Sequence, residues 1–396
     1  MKPKKIFWDE NKTILALSVI LACFSFAYLS KGFYHLLISD IGAKDLFSRW
    51  QEQQSISYHI RQHLTQNFLS EPPKNTVFSI YPPWAWIVGL FIFPPIPFEM
   101  LRLYYALLNI ISLVIVGLFG YQLGCRHGKL KAWFSVTVCL SLSSYSTTLG
   151  VGQYGIIINA FLIGALWFLE KRKDLLAGIC LGLALTKPNI SAFFIFIPLV
   201  RKKIKVVFAL IIYMIGLNSL VWVLTSLNPF TILMLQFKLI KTFAESGYSG
   251  VNILRDFGVE ITIAIVLLII GGTGLSLISF ALFKKSSWLF LLAIAAVIGR
   301  ISMYHLIYDN VMLIFLLLAC LTLTLNKSKP GNILIFSLVL LSLLLPAKVI
   351  DLFSFLEPIQ FVIWISAMIY LVTQPQSHYE YREINLPTRL KESKLI

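Results

Sequence analysis

The sequence predicts an all-α polytopic membrane protein, a helical bundle of about twelve spans with one large extracytoplasmic loop, and three observations predict it. First, 58% of the 396 residues are hydrophobic and only 13% are charged, whereas soluble domains carry about a quarter charged. The mean hydropathy of +0.80 agrees. Second, apolar runs of about 17–25 residues recur along the whole chain, the length that about 30 Å of hydrocarbon demands of a helix. Third, Lys and Arg gather in short clusters between those runs, as in loops retained on the cytoplasmic side. The net charge of +16 is therefore read as topology and not as a nucleic-acid surface, which would line one face.

Taken in order, Lys2, Lys4 and Lys5 precede a first span over 12–30 that lacks a small-residue cleavage pattern, so an uncleaved anchor with a cytoplasmic N-terminus is expected. A loop over 32–102 then faces the other side. Its segment 44–54 sets Leu46, Phe47 and Trp50 on one helical face and Asp45, Arg49, Glu52 and Gln53 elsewhere, which predicts a short helix lying in the interface. The apolar stretch 80–98 is broken by Pro82, Pro83, Pro94, Pro95 and Pro97. The uninterrupted piece from Trp84 to Phe93 covers about 15 Å, half a bilayer, so it is read as re-entrant. Charge agrees, because Arg126, Lys129 and Lys131, after a span at 103–124, fall inside only if 80–98 does not cross.

Residues 132–148 lead outward to Gly150-Val151-Gly152-Gln153-Tyr154-Gly155, and 156–170 return to Lys171, Arg172 and Lys173. The 27 residues of 174–200 are too few for two spans of about 20. Either two short helices meet at Lys187-Pro188-Asn189 or the segment is re-entrant, and in both cases Lys187 lies at membrane depth. Residues 206–226 go out to a second polar loop over about 227–258, and 259–283 return to Lys284 and Lys285. Spans near 288–303 and 307–325 form a hairpin around Tyr304-His305-Leu306-Ile307-Tyr308-Asp309, spans near 331–347 and 359–374 complete the bundle, and 375–396 is a basic cytoplasmic tail. The whole chain, 1–396, is one integral membrane domain.

No phosphate loop, dinucleotide fingerprint, metalloprotease helix or serine elbow occurs. The five cysteines, Cys23, Cys125, Cys139, Cys180 and Cys320, show no metal-pair spacing. What remains is a set of polar residues at outer helix ends: Asp45, Tyr81, Arg102, Gln153, Asn252, Arg255, Arg300, His305 and Asp309, with Lys187 joining from below. Such a set suits a sugar carried on a lipid phosphate. A carboxylate, Asp45, would take the proton of the attacking hydroxyl, and Lys187, Arg255 and Arg102 or Arg300 would hold charge on the departing phosphate. Tyr81, Gln153, Asn252, His305 and Asp309 are the candidate substrate contacts. Simpler readings stand beside these. Asp45 and Arg49 are four apart and could pair, Tyr81-Pro82-Pro83 could only start a helix, Arg102 could snorkel from a span end, and His305 could pair with Asp309. An intramembrane lysine is by default a functional residue. His305 and Asp309 alone do not make a metal site, so no cofactor is expected, with a divalent metal left open.

Lys-Asp-Leu-Phe-Ser-Arg-Trp-Gln in the first outer loop, Ile-Tyr-Pro-Pro-Trp-Ala, Gly-Gln-Tyr-Gly and Ala-Gly-Ile-Cys-Leu-Gly-Leu-Ala-Leu-Thr-Lys-Pro-Asn together resemble glycosyltransferase family 87, a branch of the GT-C superfamily, over about residues 10–325. The resemblance implies a GT-C-like bundle, a polyprenyl-phosphate sugar donor, most often mannose, inverting transfer at the extracytoplasmic face, and the loop aspartate, here Asp45, as base. The chain departs from the common family pattern at Tyr154, where Asn often follows Gly-Gln, and at Met303-Tyr304-His305, where a Ser/Trp-His pairing is commoner. The expectation is thus an inner (plasma) membrane hexosyltransferase acting on a lipid or glycan acceptor. The alternatives are a transporter or flippase of a lipid-linked envelope precursor and a non-catalytic partner in an envelope complex. Transporters keep connections short and show inverted halves, whereas this chain puts about seventy residues into one loop.

Overall fold

The structure, a computed structural model, describes residues 10–65, 81–244, 247, 249–353 and 355–374. The tail over 375–396, the N-terminal lysines and residues 66–80 of the first loop lie outside the described residues. Secondary structure among those described is entirely helical. The first helices are α1 (Glu10–Leu37), α2 (Lys44–Thr65), α3 (Pro83–Ile92), α4 (Phe98–Cys125) and α5 (Lys129–Leu140). They are followed by α6 (Ser144–Val151), α7 (Gly155–Glu170), α8 (Asp174–Ala184), α9 (Pro188–Ser191) and, after a 3-10 turn, α10 (Phe196–Val200). Then come α11 (Ile204–Thr225), α12 (Pro229–Ala244), α13 (Gly250–Asp256), α14 (Ile261–Leu282) and α15 (Trp288–Ser302). A 3-10 segment, Ile307–Leu313, runs into α16 (Ile314–Asn326), and α17 (Pro330–Leu344), α18 (Ala347–Leu352) and α19 (Leu356–Thr373) complete the chain.

By length and composition six segments can cross a membrane: α1, α4, α11, α14, the continuous stretch Ile307–Asn326, and α19. Helices α6 and α7, bent by 114° at their junction, make a seventh if they count as one span. This is an integral membrane protein. Five shorter apolar helices of 10–17 residues remain, and a total near twelve requires those to cross as well.

Helix α15 and the stretch 307–326 are apolar on every side, and they occupy the centre, with Leu289–Arg300 and Asp309–Leu321 all buried. Around them α4 packs on α5, α7 on α8, α1 on α6 and α8 on α11. Helices α1, α11 and α14 leave large side chains such as Phe26, Trp222 and Ile270 outward, the pattern of surfaces that face lipid rather than water.

Proline decides several boundaries. The short helix left between the prolines of 80–98 is present as α3, ten residues starting at Pro83. The segment 174–200 breaks ahead of Pro188, as α8 and the α9–α10 run.

Three expectations are corrected. The expected helix over 132–148 is split, because the Ser143 hydroxyl donates to the Leu343 and Leu345 carbonyls at 2.9 and 2.6 Å, and Ser141 donates to Val138 at 3.1 Å. These bonds offer the chain an alternative to the helix ladder. Residues 227–258 are not a plain polar loop, since α12 and α13 lie within them. Finally, helix α2 runs to Thr65 and turns its polar stripe inward. Arg49, Glu52 and Gln53 are buried together with Leu46 and Ile56, while Phe47 is exposed, whereas an interfacial helix buries only its apolar face.

Candidate active site

Helix α2 begins where it does because its N-terminus is docked on the end of α6. The Ala43 amide donates to the Gly150 carbonyl at 2.7 Å. Gly152 ends α6 with φ of +81°, and a Cβ there would lie 2.4 Å from that of Leu46. Glycine is thus required twice, for the left-handed backbone and for the close approach of α2. That one turn delivers Gln153 next to Asp45.

The Gln153 side chain is the hub. Its Nε2 donates to Asp45 Oδ2 at 2.8 Å, and its Oε1 accepts from Lys187 Nζ at 3.0 Å. An amide nitrogen toward an anion and an amide oxygen toward a cation is the mutually consistent orientation. The Tyr81 hydroxyl donates to the same Oε1 at 3.4 Å, and Tyr308 Oη accepts from Nε2 at 3.4 Å.

Lys187 sits at the break before Pro188, where the helix ladder cannot continue. The carbonyls that the break strands are met by side chains: Trp84 Nε1 donates to Leu185 O at 2.9 Å and the Tyr154 hydroxyl to Thr186 O at 3.1 Å. Irregular backbone at membrane depth needs such partners. The ammonium donates to Asp309 Oδ1 at 2.6 Å and faces the rings of Tyr308 and Tyr154 at 4.9 and 5.6 Å. Lys187 is 2% and Asp309 1% exposed, so each charge depends on the other. With two of three N–H groups used, one can still meet a ligand.

Asp309 is fixed from several sides. Asn189 Nδ2 and the Leu306 amide donate to Oδ2, each at 3.3 Å, and the 3-10 segment that carries Asp309 is anchored by Thr148 to Tyr308 O at 2.9 Å and Asn159 to Val311 O at 2.8 Å. His305 Nδ1 lies 3.3 Å from Asp309 Oδ2 and Nε2 lies 3.0 Å from Gly299 O. A neutral imidazole donates from one nitrogen only, so its tautomer decides which of the two oxygens it meets.

One turn along α2 from Asp45 lies a second polar group. Arg49 is 9% and Glu52 1% exposed, and Arg49 Nη1 stands 2.8 Å from Glu52 Oε1. The guanidinium also lies over the Tyr81 ring at 4.8 Å. Burial lowers the Arg49 pKa, but Glu52, Tyr81, Tyr154 and Asp45 outweigh it and the net shift is upward. Arg49, Glu52, Tyr81 and Tyr154 line a small cavity with Gln53, Gly89, Phe93 and Thr186. Sequence reasoning gives Arg49 only as an alternative partner of Asp45, and Glu52 and Gln53 no role. Their spacing of four, seven and eight residues from Asp45 is the available signal.

Of the sequence candidates, Asp45, Tyr81, Gln153, Lys187, His305 and Asp309 are brought together. Three are not. Arg102 donates through Nε to Leu36 O at 2.6 Å and through Nη2 to Ser39 O at 2.9 Å and His35 O at 3.4 Å, so it closes the end of α1. Arg255 is partly exposed and pairs with its neighbour Asp256 at 2.9 Å. Asn252 is buried in a local turn, donating to Ala244 O at 2.8 Å and accepting from Ser249 at 2.9 Å. Arg300 donates to Asn310 Oδ1 at 2.7 Å beneath the rings of Phe361 and Trp364. Among the described residues no group of three or more His, Cys, Asp or Glu side chains could hold a metal ion.

Fold and geometry thus define an integral membrane protein with an enclosed polar centre built where its helices break. Residues 79–255 match the model of glycosyltransferase family 87, which supports the family that the motifs resemble. The matched region includes Tyr81, Gln153 and Lys187; Asp45, His305 and Asp309 fall outside it. No match is found among curated proteins or among solved structures.

Proposed function

We propose that the chain transfers a hexose, mannose being the first candidate, from a polyprenyl phosphate to a lipid or glycan acceptor at the extracytoplasmic face of the inner membrane, with inversion. One observation carries this reading: a single side chain, Gln153, is bonded at once to the half-buried carboxylate of Asp45 and to the buried ammonium of Lys187. The pair supplies the two functions that inverting transfer needs.

The acceptor oxygen bonds to the anomeric carbon as the bond from that carbon to the phosphate oxygen breaks. The acceptor proton passes to Asp45, and polyprenyl phosphate leaves with the bonding electrons, its charge met by the free N–H of Lys187. Asp309, with His305 and Asn189 behind it, keeps Lys187 charged and aimed. The lysine clusters between the spans support an outward-facing site with both termini in the cytoplasm.

The test uses purified protein in lipid nanodiscs, radiolabelled polyprenyl-phosphate hexoses and a panel of glycoside and lipid acceptors. Wild type is expected to form labelled product and Asp45→Asn to lose about 10²–10⁴-fold in rate. An unchanged rate in the variant removes Asp45 as base, and movement of donor across the bilayer without product supports a flippase instead.

A further inference from the structure

Helix α12 is tied to two membrane spans at one level. The span α11 ends at Thr225, and α12 starts four residues later at Pro229. In the last turn of α12, Lys241 pairs at 2.9 Å with Glu260, the N-cap of the next span, α14. Neither α12 nor α13 is long and apolar enough to cross between them, so the end of α11 and the start of α14 lie on the same side of the membrane. A helix of 16 residues covers about 24 Å. Held at that level by both ends, α12 runs along the membrane surface and not through it.

The helix has two unlike sides. Ile232, Gln236 and Leu239, spaced i, i+4, i+7, form the stripe that meets the protein. Ile232 packs with Ile56, Trp86 and Val221, and Gln236 Nε2 donates to the carbonyl of Tyr81 in the turn before α3. The rest of the helix points away. Phe230, Met234 and Phe237 are 69%, 54% and 44% exposed, with Leu233, Leu235 and Ile240 beside them. Lys238 and Lys241 stand exposed on the same side. Facing water, a contiguous apolar patch of that size is costly.

Continuity says what covers it. Trp222 and Val223 at the end of α11 and Ile263 in the first turn of α14 are also exposed, so the apolar side of α12 continues at both ends into surfaces that face lipid. Aromatic and aliphatic side chains on a helix that also carries lysines are the composition of helices that lie in a bilayer interface. We propose that α12 is an in-plane helix docked on the lipid surface, with Phe230, Met234 and Phe237 in the acyl boundary and Lys238 reaching back to headgroup phosphates. Its opposite stripe, through Gln236, fastens that lipid surface to the Tyr81 turn of the polar centre.

Spin labelling of the full chain in lipid nanodiscs tests the docking. With the exposed Cys23 and Cys125 changed to serine, the variants Phe230→Cys, Met234→Cys and Phe237→Cys are labelled one at a time with a nitroxide, and Ile270→Cys in the lipid-facing part of α14 is the reference. Collisions with dissolved oxygen, which enters the bilayer, are compared with those of a water-soluble nickel chelate, which does not. Phe230 and Phe237 stand about 10 Å apart along the helix axis, yet their oxygen-to-nickel ratios are expected to agree within about twofold and to fall below that of Ile270. Nickel collisions as frequent as for a free label place α12 in water. Exclusion of both reagents places a protein, such as a second copy, on this face, and a ratio climbing steadily from 230 to 237 makes α12 dip into the bilayer. Each of these three results overturns the proposal.

The fastening to Tyr81 has its own variant. Gln236→Leu is expected to leave the ratio at Phe237→Cys unchanged, because the lipid side is intact, and to narrow the nitroxide line there, because the helix is freed from the Tyr81 turn. An unchanged line width, or a helix that leaves the lipid when only Gln236 is altered, overturns the separation of the two sides. Neither measurement depends on the transfer reaction.

Discussion

Two buried arginines, Arg102 and Arg49, flank the same loop and differ in how their hydrogen bonds are spent. Arg102 is 7% exposed and gives its N–H groups to three carbonyls at the end of α1, with Glu99 beside it at 3.6 Å. Arg49, equally buried, pairs with the Glu52 carboxylate at 2.8 Å and lies over the Tyr81 ring. Burial of a cation is thus no mark of a site by itself. A cation whose donors are taken up by backbone carbonyls closes a helix end, and one held by a buried carboxylate depends on that anion for its charge. Lys187 lies between these cases, with a paired charge and one N–H in reserve.

Breaking the Lys187 pair is expected to have the largest effect on the folded protein. Asp309→Asn leaves a buried ammonium without its anion, and the expected loss is about 3–5 kcal/mol, read as a fall in the thermal midpoint. If the variant keeps its midpoint, the buried pair is not what holds the helix break. The comparison of arginines is sharpened by a matched pair of variants. Arg102→Gln is expected to cost about 2–4 kcal/mol, because it strands the last carbonyls of α1. Arg49→Gln is expected to cost at least as much, because it leaves the buried Glu52 carboxylate without its cation. A midpoint lowered in Arg102→Gln but unchanged in Arg49→Gln would show that Glu52 does not depend on that pair.

Much of the site was legible because rule-breaking residues are conspicuous in an apolar chain. Lys187 before Pro188 inside a hydrophobic run cannot sit in a regular span, and the structure has the break there. Gln153 between glycines, and Asp309 four residues after His305, were visible for the same reason. Arg102 stands apart from the centre, and a cation at a span end looks alike in sequence whether it meets a phosphate, water or a helix's last carbonyls. Asn252 and Arg255 also stand apart, with local partners, Ala244 O and Asp256, and only the turn geometry brings Ala244 into reach. The polar stripe of α2 was seen but turned the wrong way. Amphipathic spacing states that a helix has two faces; it does not say which one meets the protein when the other can meet lipid. The number of spans was the least legible feature, since several apolar helices are shorter than a bilayer and depend on neighbours to bury their ends.

The most direct test is an experimental structure with a non-transferable phosphonate analogue of a polyprenyl-phosphate hexose. The account predicts the phosphonate within hydrogen-bonding distance of Lys187 Nζ, with the anomeric carbon turned toward Asp45. A phosphonate held by Arg102 or Arg255, with Gln153 still bridging an empty centre, would contradict it.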